Sequence, residues 1–211
     1  MKKIIGIIPS TLGFDTDNPF DDKYYVQNTY LEKLKQFKCI PIIVPPTNLK
    51  IDYNTLNLCD AFLIIGGKKV HKYHFEVIDY ALKTNKKLLG ICLGMQAIAM
   101  YSNNDLEEKT LYKVNNHYFD NITHKNKELL VHDIDISKDS LLSKILGEKI
   151  KVNSIHNYAV NKVSYPFKIV AIYKDVIEDI EYKNVIGVQF HPELMNNTEK
   201  LFEWLIKKKR N

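Results

Sequence analysis

The stretch Leu88-Leu89-Gly90-Ile91-Cys92-Leu93-Gly94-Met95-Gln96 limits what this chain can fold into more than any other segment. An apolar run ends at a cysteine with a glycine two residues to either side, and a helical pattern follows. Two glycines at an element junction cost stability unless the backbone needs them. The segment therefore reads as a buried strand that turns sharply into a helix, with the cysteine at the elbow. Such a turn lifts the side chain clear of a sheet and sets it at a helix N-terminus, where the partial positive charge favours an anion. Cys39 and Cys59 have no such setting and read as small buried hydrophobes.

The rest of the chain agrees with a strand–helix repeat. Lys3–Ile8, Ile40–Val44, Ala61–Ile65 and Leu88–Ile91 are short, apolar and rich in β-branched residues, as expected of strands buried on both faces. Helical spacing over Tyr25–Phe37 and Phe75–Thr84 separates them. The alternation predicts an α/β fold, a three-layer αβα sandwich around a mostly parallel central sheet. From about Leu129 the texture changes. Short strands near Leu130–Ile136, Lys151–Asn153, Lys168–Tyr173, Val176–Tyr182 and Val185–Gln189 predict a small antiparallel extension, and Thr198–Lys209 a closing amphipathic helix. Residues Ser102–Asn126 are polar and irregular and carry no clear element. At 211 residues, with no repeat and no low-complexity linker, residues 1–211 are expected to form a single domain.

Composition excludes several classes. No apolar run approaches the roughly 20 residues of a membrane helix. The first apolar stretch stops at Pro9-Ser10, so it reads as a strand and not as a secretion signal. Three cysteines without regular spacing argue against a disulfide framework and for the cytoplasm. The net charge of +5 comes partly from Lys207-Lys208-Lys209-Arg210, which reads as a solvated helix end. No aromatic-basic interleaving or base-reading element accompanies it, so no nucleic-acid partner is expected.

A second motif, Gly187-Val188-Gln189-Phe190-His191-Pro192-Glu193, supplies a base and an acid two residues apart. In an extended segment such residues project to one side, and Pro192 biases His191 toward extended backbone. Glu193 could then accept the imidazole N–H and fix its tautomer. Ligands of open α/β sheets bind beyond the carboxyl ends of the strands. Cys92, the pair Gly66-Gly67 and His191 each follow a predicted strand, so they are expected at one edge.

With these motifs in order, and with Val152–Val160 between them, the chain resembles the class I glutamine amidotransferase-like superfamily, most of all its γ-glutamyl hydrolase branch. The likeness runs from Ile4 to the last helix and implies a flavodoxin-like core. It implies cleavage of a γ-glutamyl amide through a γ-glutamyl thioester by a triad of Cys92, His191 and Glu193. It also implies an oxyanion site at the Leu93 N–H and the Gly66-Gly67 loop. Gln96, Asn157 and Tyr158 would grip the glutamyl backbone, and His156 would shape that loop. No cofactor and no metal are expected; His71 and His74 offer imidazoles without further ligands.

The chain departs from the branch after its glycine pair. Where the branch has an acidic residue, a proline and a tyrosine, this chain has Lys68-Lys69-Val70-His71-Lys72-Tyr73-His74. The Gly-Gly-Thr-Leu stretch expected after the elbow helix is replaced by Tyr101-Ser102-Asn103-Asn104. Lys68, Lys69 and Lys72 at the mouth of a site favour an anionic leaving group. The expected partner is thus a small γ-glutamyl amide whose nitrogen carries a phosphate or a nucleoside diphosphate, with Tyr24, Tyr25 and Tyr73 as candidate base stackers. A homodimer and a separate synthetase that takes up ammonia both stay open.

Overall fold

The first strand, β1 (Lys3–Ile8), shows why this sequence builds a sheet covered on both sides. Ile5 and Ile7 enter one hydrophobic core and Ile8 enters another. Alternate residues of β5 (Ala61–Ile64) divide in the same way. The structure is a computed structural model that describes residues 2–14, 16–121, 123 and 128–207.

After β1 come a small hairpin, β2 (Ser10–Leu12) with β3 (Lys23–Tyr25), then α1 (Asn28–Lys35) and β4 (Cys39–Ile43). Helix α2 (Tyr53–Leu58) leads into β5, and α3 (Lys72–Lys83) into β6 (Lys87–Ile91). The elbow helix α4 (Leu93–Ser102) is buried continuously from Leu93 to Met100, which explains its nearly unbroken apolar sequence. The second half contributes β7 (Leu111–Lys113), β8 (His132–Ile136), α5 (Leu141–Leu146), β9 (Lys149–Val152) and β10 (Tyr158–Val160). It ends with β11 (Lys168–Tyr173), β12 (Val176–Tyr182), β13 (Val185–Val188), a 3-10 turn at Pro192–Leu194 and α6 (Glu199–Ile206).

Nine strands form one sheet in the order β4-β1-β5-β6-β13-β12-β11-β8-β9. Its core, β4 through β13, is parallel, and the strands from β12 to β9 extend it antiparallel. One core contains side chains of α1, α5 and α6; the other contains those of α2, α3 and α4. This is the expected three-layer αβα arrangement. Two side chains secure α5 to the sheet: Ser140 caps its Ser143 N–H at 2.9 Å, and the Glu181 carboxylate of β12 receives the N–H groups of Leu141 and Leu142.

Strands β1, β11 and β12 span the residues expected of them. Four elements had no clear sequence signal: the β2–β3 hairpin, α2, α5 and the β7–β10 pair. Each is three to six residues long, too short to display a period. Within Ser102–Asn126, β7 pairs with β10, whereas residues 122 and 124–126 lie outside the described residues, as do 208 and 209 of the predicted last helix. Among the described residues no helix is long and apolar enough to cross a membrane.

Candidate active site

Register places the three predicted loops together. Ile64 of β5 lies opposite Gly90 of β6, and Ile91 lies opposite Val188 of β13. Adjacent strands therefore end at the same level, and Gly66, Cys92 and His191 emerge beside one another.

Cys92 caps α4 with φ of +51° and ψ of −102°, a backbone conformation that non-glycine residues rarely adopt. Its N–H donates to the Val188 carbonyl at 2.8 Å, which pins the elbow to β13. The neighbouring glycines are required by close approach. A Cβ on Gly90 would lie 2.6 Å from the Gly94 backbone, and one on Gly94 would lie 2.4 Å from the Ile64 carbonyl oxygen.

His191 Nδ1 sits 2.7 Å from Glu193 Oε1. The pair forms, but not on extended backbone: Pro192–Leu194 is a 3-10 turn, and its curl carries the carboxylate back under the ring. Burial alone would disfavour the imidazolium. The negative charges of Glu193 and Cys92, with hydrogen bonds to both, outweigh it and hold the His191 pKa well above its ordinary range. The imidazole and Cys92 crowd the same glycine: a Cβ on Gly66 would meet His191 Cε1 at 2.9 Å and Cys92 Cβ at 3.6 Å.

Two positioning groups were not legible in the sequence. Asn153 brackets the His191 backbone, accepting its N–H at 2.8 Å and donating to its carbonyl at 2.9 Å. The buried hydroxyl of Tyr30 accepts the Gly66 N–H at 2.9 Å. Burial first, and then the Glu193 carboxylate, push the Tyr30 pKa far up, so it stays a neutral phenol. Tyr30 sits in ordinary helical patterning, and Asn153 is one residue of the Val152–Val160 motif with no role marked by its spacing, so only contact reveals what each holds. The Gly66 N–H is committed to Tyr30, and the Gly67 backbone and Leu93, the first residue of α4, stand at the same corner.

The predicted glutamyl contacts divide. The buried Gln96 amide donates to the Tyr158 carbonyl at 2.9 Å and to Gln189 Oε1 at 3.3 Å, tying α4 to β10. Asn157 and Tyr158 are exposed at the start of β10. His156 is buried and its Nδ1 bonds the Tyr158 carbonyl; burial lowers its pKa to about 3.

Lys68, Lys69 and Lys72 are exposed next to Gly67. Across from the first two, the turn Thr11–Phe14 of the hairpin encloses a cavity of about 170 Å³, which His71 also lines. That space suits a phosphate-sized group and is too small for a whole drug-sized ligand. His71 Nε2 is 2.8 Å from Thr11 Oγ1, and His74 Nδ1 accepts the His71 N–H at 3.0 Å, so both rings serve the loop's structure. One candidate stacker is excluded: Tyr73 is fully buried and donates to the Pro9 carbonyl at 2.8 Å. Tyr24 and Tyr25 are half-buried on β3.

The sequence profile of the peptidase C26 family matches residues 3–77 and 71–193. The chain belongs to the peptidase C26 family. It is therefore an amidohydrolase of the class I glutamine amidotransferase-like kind. The glutamine amidotransferase-like protein YvdE of Lactococcus lactis subsp. lactis is 27% identical over 95% of this chain and 96% of its own length. The γ-glutamyl-CDP-amidate hydrolase of Campylobacter jejuni is 29% identical over 75% of this chain and 76% of its own. Among solved structures, the glutaminase domain of the Trypanosoma brucei CTPS, determined with bound acivicin, superposes with a TM-score of 0.70. At 16% identity it covers 97% of this chain and 92% of its own, a likeness of fold.

Proposed function

We propose that the protein is a cysteine amidohydrolase that cleaves a γ-glutamyl amide through a γ-glutamyl thioester. The observation that carries this reading is the His191–Glu193 pair, 2.7 Å apart, beside a cysteine held at a strained elbow. The Cys92 thiol passes its proton to His191 Nε2, and the sulfur attacks the γ-carbonyl carbon. Negative charge developing on the carbonyl oxygen meets the N–H groups of Gly67 and Leu93, each such donor being worth about 3–4 kcal/mol. Collapse breaks the carbon–nitrogen bond while His191 protonates the leaving nitrogen. His191 then takes a proton from water, which attacks the thioester to release glutamate and restore the thiol. Glu193 holds the ring's orientation throughout and stabilises its charged form.

For the substrate we propose γ-L-glutamyl-CDP-amidate, giving L-glutamate and cytidine diphosphoramidate in the assembly of capsule phosphoramidate. Two things support it: the similarity to the Campylobacter hydrolase and the Lys68–Lys69 cavity beside the oxyanion loop. The nucleobase would lie outside that cavity. The similarity to the CTP synthase of Thermosipho africanus, 27% identical over 96% of this chain and 45% of its own length, favours a second reading, in which the chain releases ammonia to a separate synthetase.

The test is a panel of γ-glutamyl amides with different leaving groups, including glutamine and nucleotide-linked amidates, read by glutamate release. Cys92→Ala is expected to abolish turnover with the fold intact. Lys68→Ala and Lys69→Ala should raise KM for a phosphorylated substrate more than for glutamine. Equal effects on both substrates refute the anionic leaving group, and glutaminase activity strongly stimulated by a synthetase favours the second reading.

A further inference from the structure

The antiparallel half of the sheet buries a second polar cluster that the proposed chemistry does not use. His117 follows β7, His156 lies between β9 and β10, and Glu178 sits on β12. One ligand-capable atom from each lies within 4.8 Å of the others. The residues are 8%, 3% and 0% exposed, respectively.

Their second atoms are already held. His132 Nε2 of β8 is 3.1 Å from Glu178 Oε1, leaving Oε2 buried with no hydrogen-bond partner. His156 Nδ1 faces the Tyr158 carbonyl at 3.0 Å and must therefore carry the proton. Its Nε2 is then a bare lone pair, also buried and unpartnered. The Ser154 hydroxyl donates to the His117 carbonyl at 2.8 Å, so it accepts from His117 Nδ1 at 3.3 Å and leaves that ring's Nε2 as the acceptor. Three acceptors are thus left over on residues whose ligand-capable atoms lie within 4.8 Å of one another, two of them buried with nothing to receive.

Buried polar atoms in native proteins seldom stay unpartnered. A water molecule offers only two hydrogens to three lone pairs. A dication satisfies all three and offsets the carboxylate charge. Imidazoles whose other nitrogen is bonded to a carbonyl or hydroxyl, and a carboxylate oriented by a further side chain, are the surroundings metal ligands usually have.

We propose that His117, His156 and Glu178 bind one divalent transition-metal ion, Zn²⁺ by the chemistry of two nitrogens and a carboxylate oxygen. The ion would tie the segment after β7 and the β9–β10 loop to β12. That loop also holds Asn153, which brackets His191, and leads into Tyr158 of β10, whose carbonyl holds Gln96. The site's role is to set the loop's position.

The experiment uses the full chain without a histidine tag, carrying Cys92→Ala so that the thiol and His191 cannot bind zinc together. After EDTA treatment and dialysis, Zn²⁺ is titrated with elemental analysis of the bound metal, and Co²⁺ is added separately to record its visible ligand-field bands. One equivalent of Zn²⁺ is expected, bound at least tenfold more weakly after His117→Ala or Glu178→Gln, with folding checked by circular dichroism. If a variant fails to fold, the Co²⁺ bands of the parent decide: four-coordinate bands displaced by Zn²⁺ support the site. No binding by the parent at micromolar metal, or unchanged affinity in a folded His117→Ala variant, overturns it.

Discussion

His74 gives a stability prediction whose size follows from its surroundings. The ring is fully enclosed under the lysine loop, with Nδ1 accepting the His71 N–H and Nε2 without a partner. Burial lowers its pKa from 6.5 to about 3, with the neighbouring His71 adding to the shift. The folded state therefore keeps His74 neutral while the unfolded chain takes up a proton below pH 6.5. A depressed histidine pKa makes stability greatest above the unfolded value and progressively lower as pH falls toward the folded one. At pH 5 the loss is about 1.5 pH units of proton linkage, or about 2 kcal/mol. The perturbation is His74→Asn, which places an acceptor near Nδ1 but does not titrate. Urea unfolding of both proteins at pH 7 and pH 5 is the assay. The wild type should lose about 2 kcal/mol more than the variant between these pH values. Equal losses in the two proteins would refute the claim that this ring is held neutral by its enclosure.

Other perturbations probe the candidate active site itself. Gly94→Ala drives a Cβ to 2.4 Å from the Ile64 carbonyl oxygen. Both groups belong to rigid backbone, so denaturant melts should show a loss of about 1–3 kcal/mol or more; an unchanged midpoint argues against the close approach. Tyr30→Phe strands the buried Gly66 N–H, a cost of about 1–3 kcal/mol; a variant as stable as wild type would mean the bond contributes nothing. Asn153→Ala removes both bonds to the His191 backbone, and kcat should fall roughly tenfold, the equivalent of about 1.4 kcal/mol, with KM little changed. A rise in KM alone would assign Asn153 to substrate binding instead.

The sequence alone determined the layer order and singled out the three side chains proposed to react. Buried parallel strands must be apolar along their whole length, and an elbow must have glycine where backbones touch, so Leu88–Gln96 announced both. The same local logic marked His191 and Glu193, although their backbone curls where extended geometry was expected. Short elements such as the β2–β3 hairpin stayed hidden because three residues cannot show a period. Only the tertiary structure decided that Tyr30 occupies the Gly66 N–H, that Asn153 brackets His191, and that Tyr73 is core. It alone brought His117, His156 and Glu178 together from distant segments. A hydrogen bond or a shared ligand site depends on distance in space, and nothing in residue spacing encodes a distance between strands that pair across the sheet.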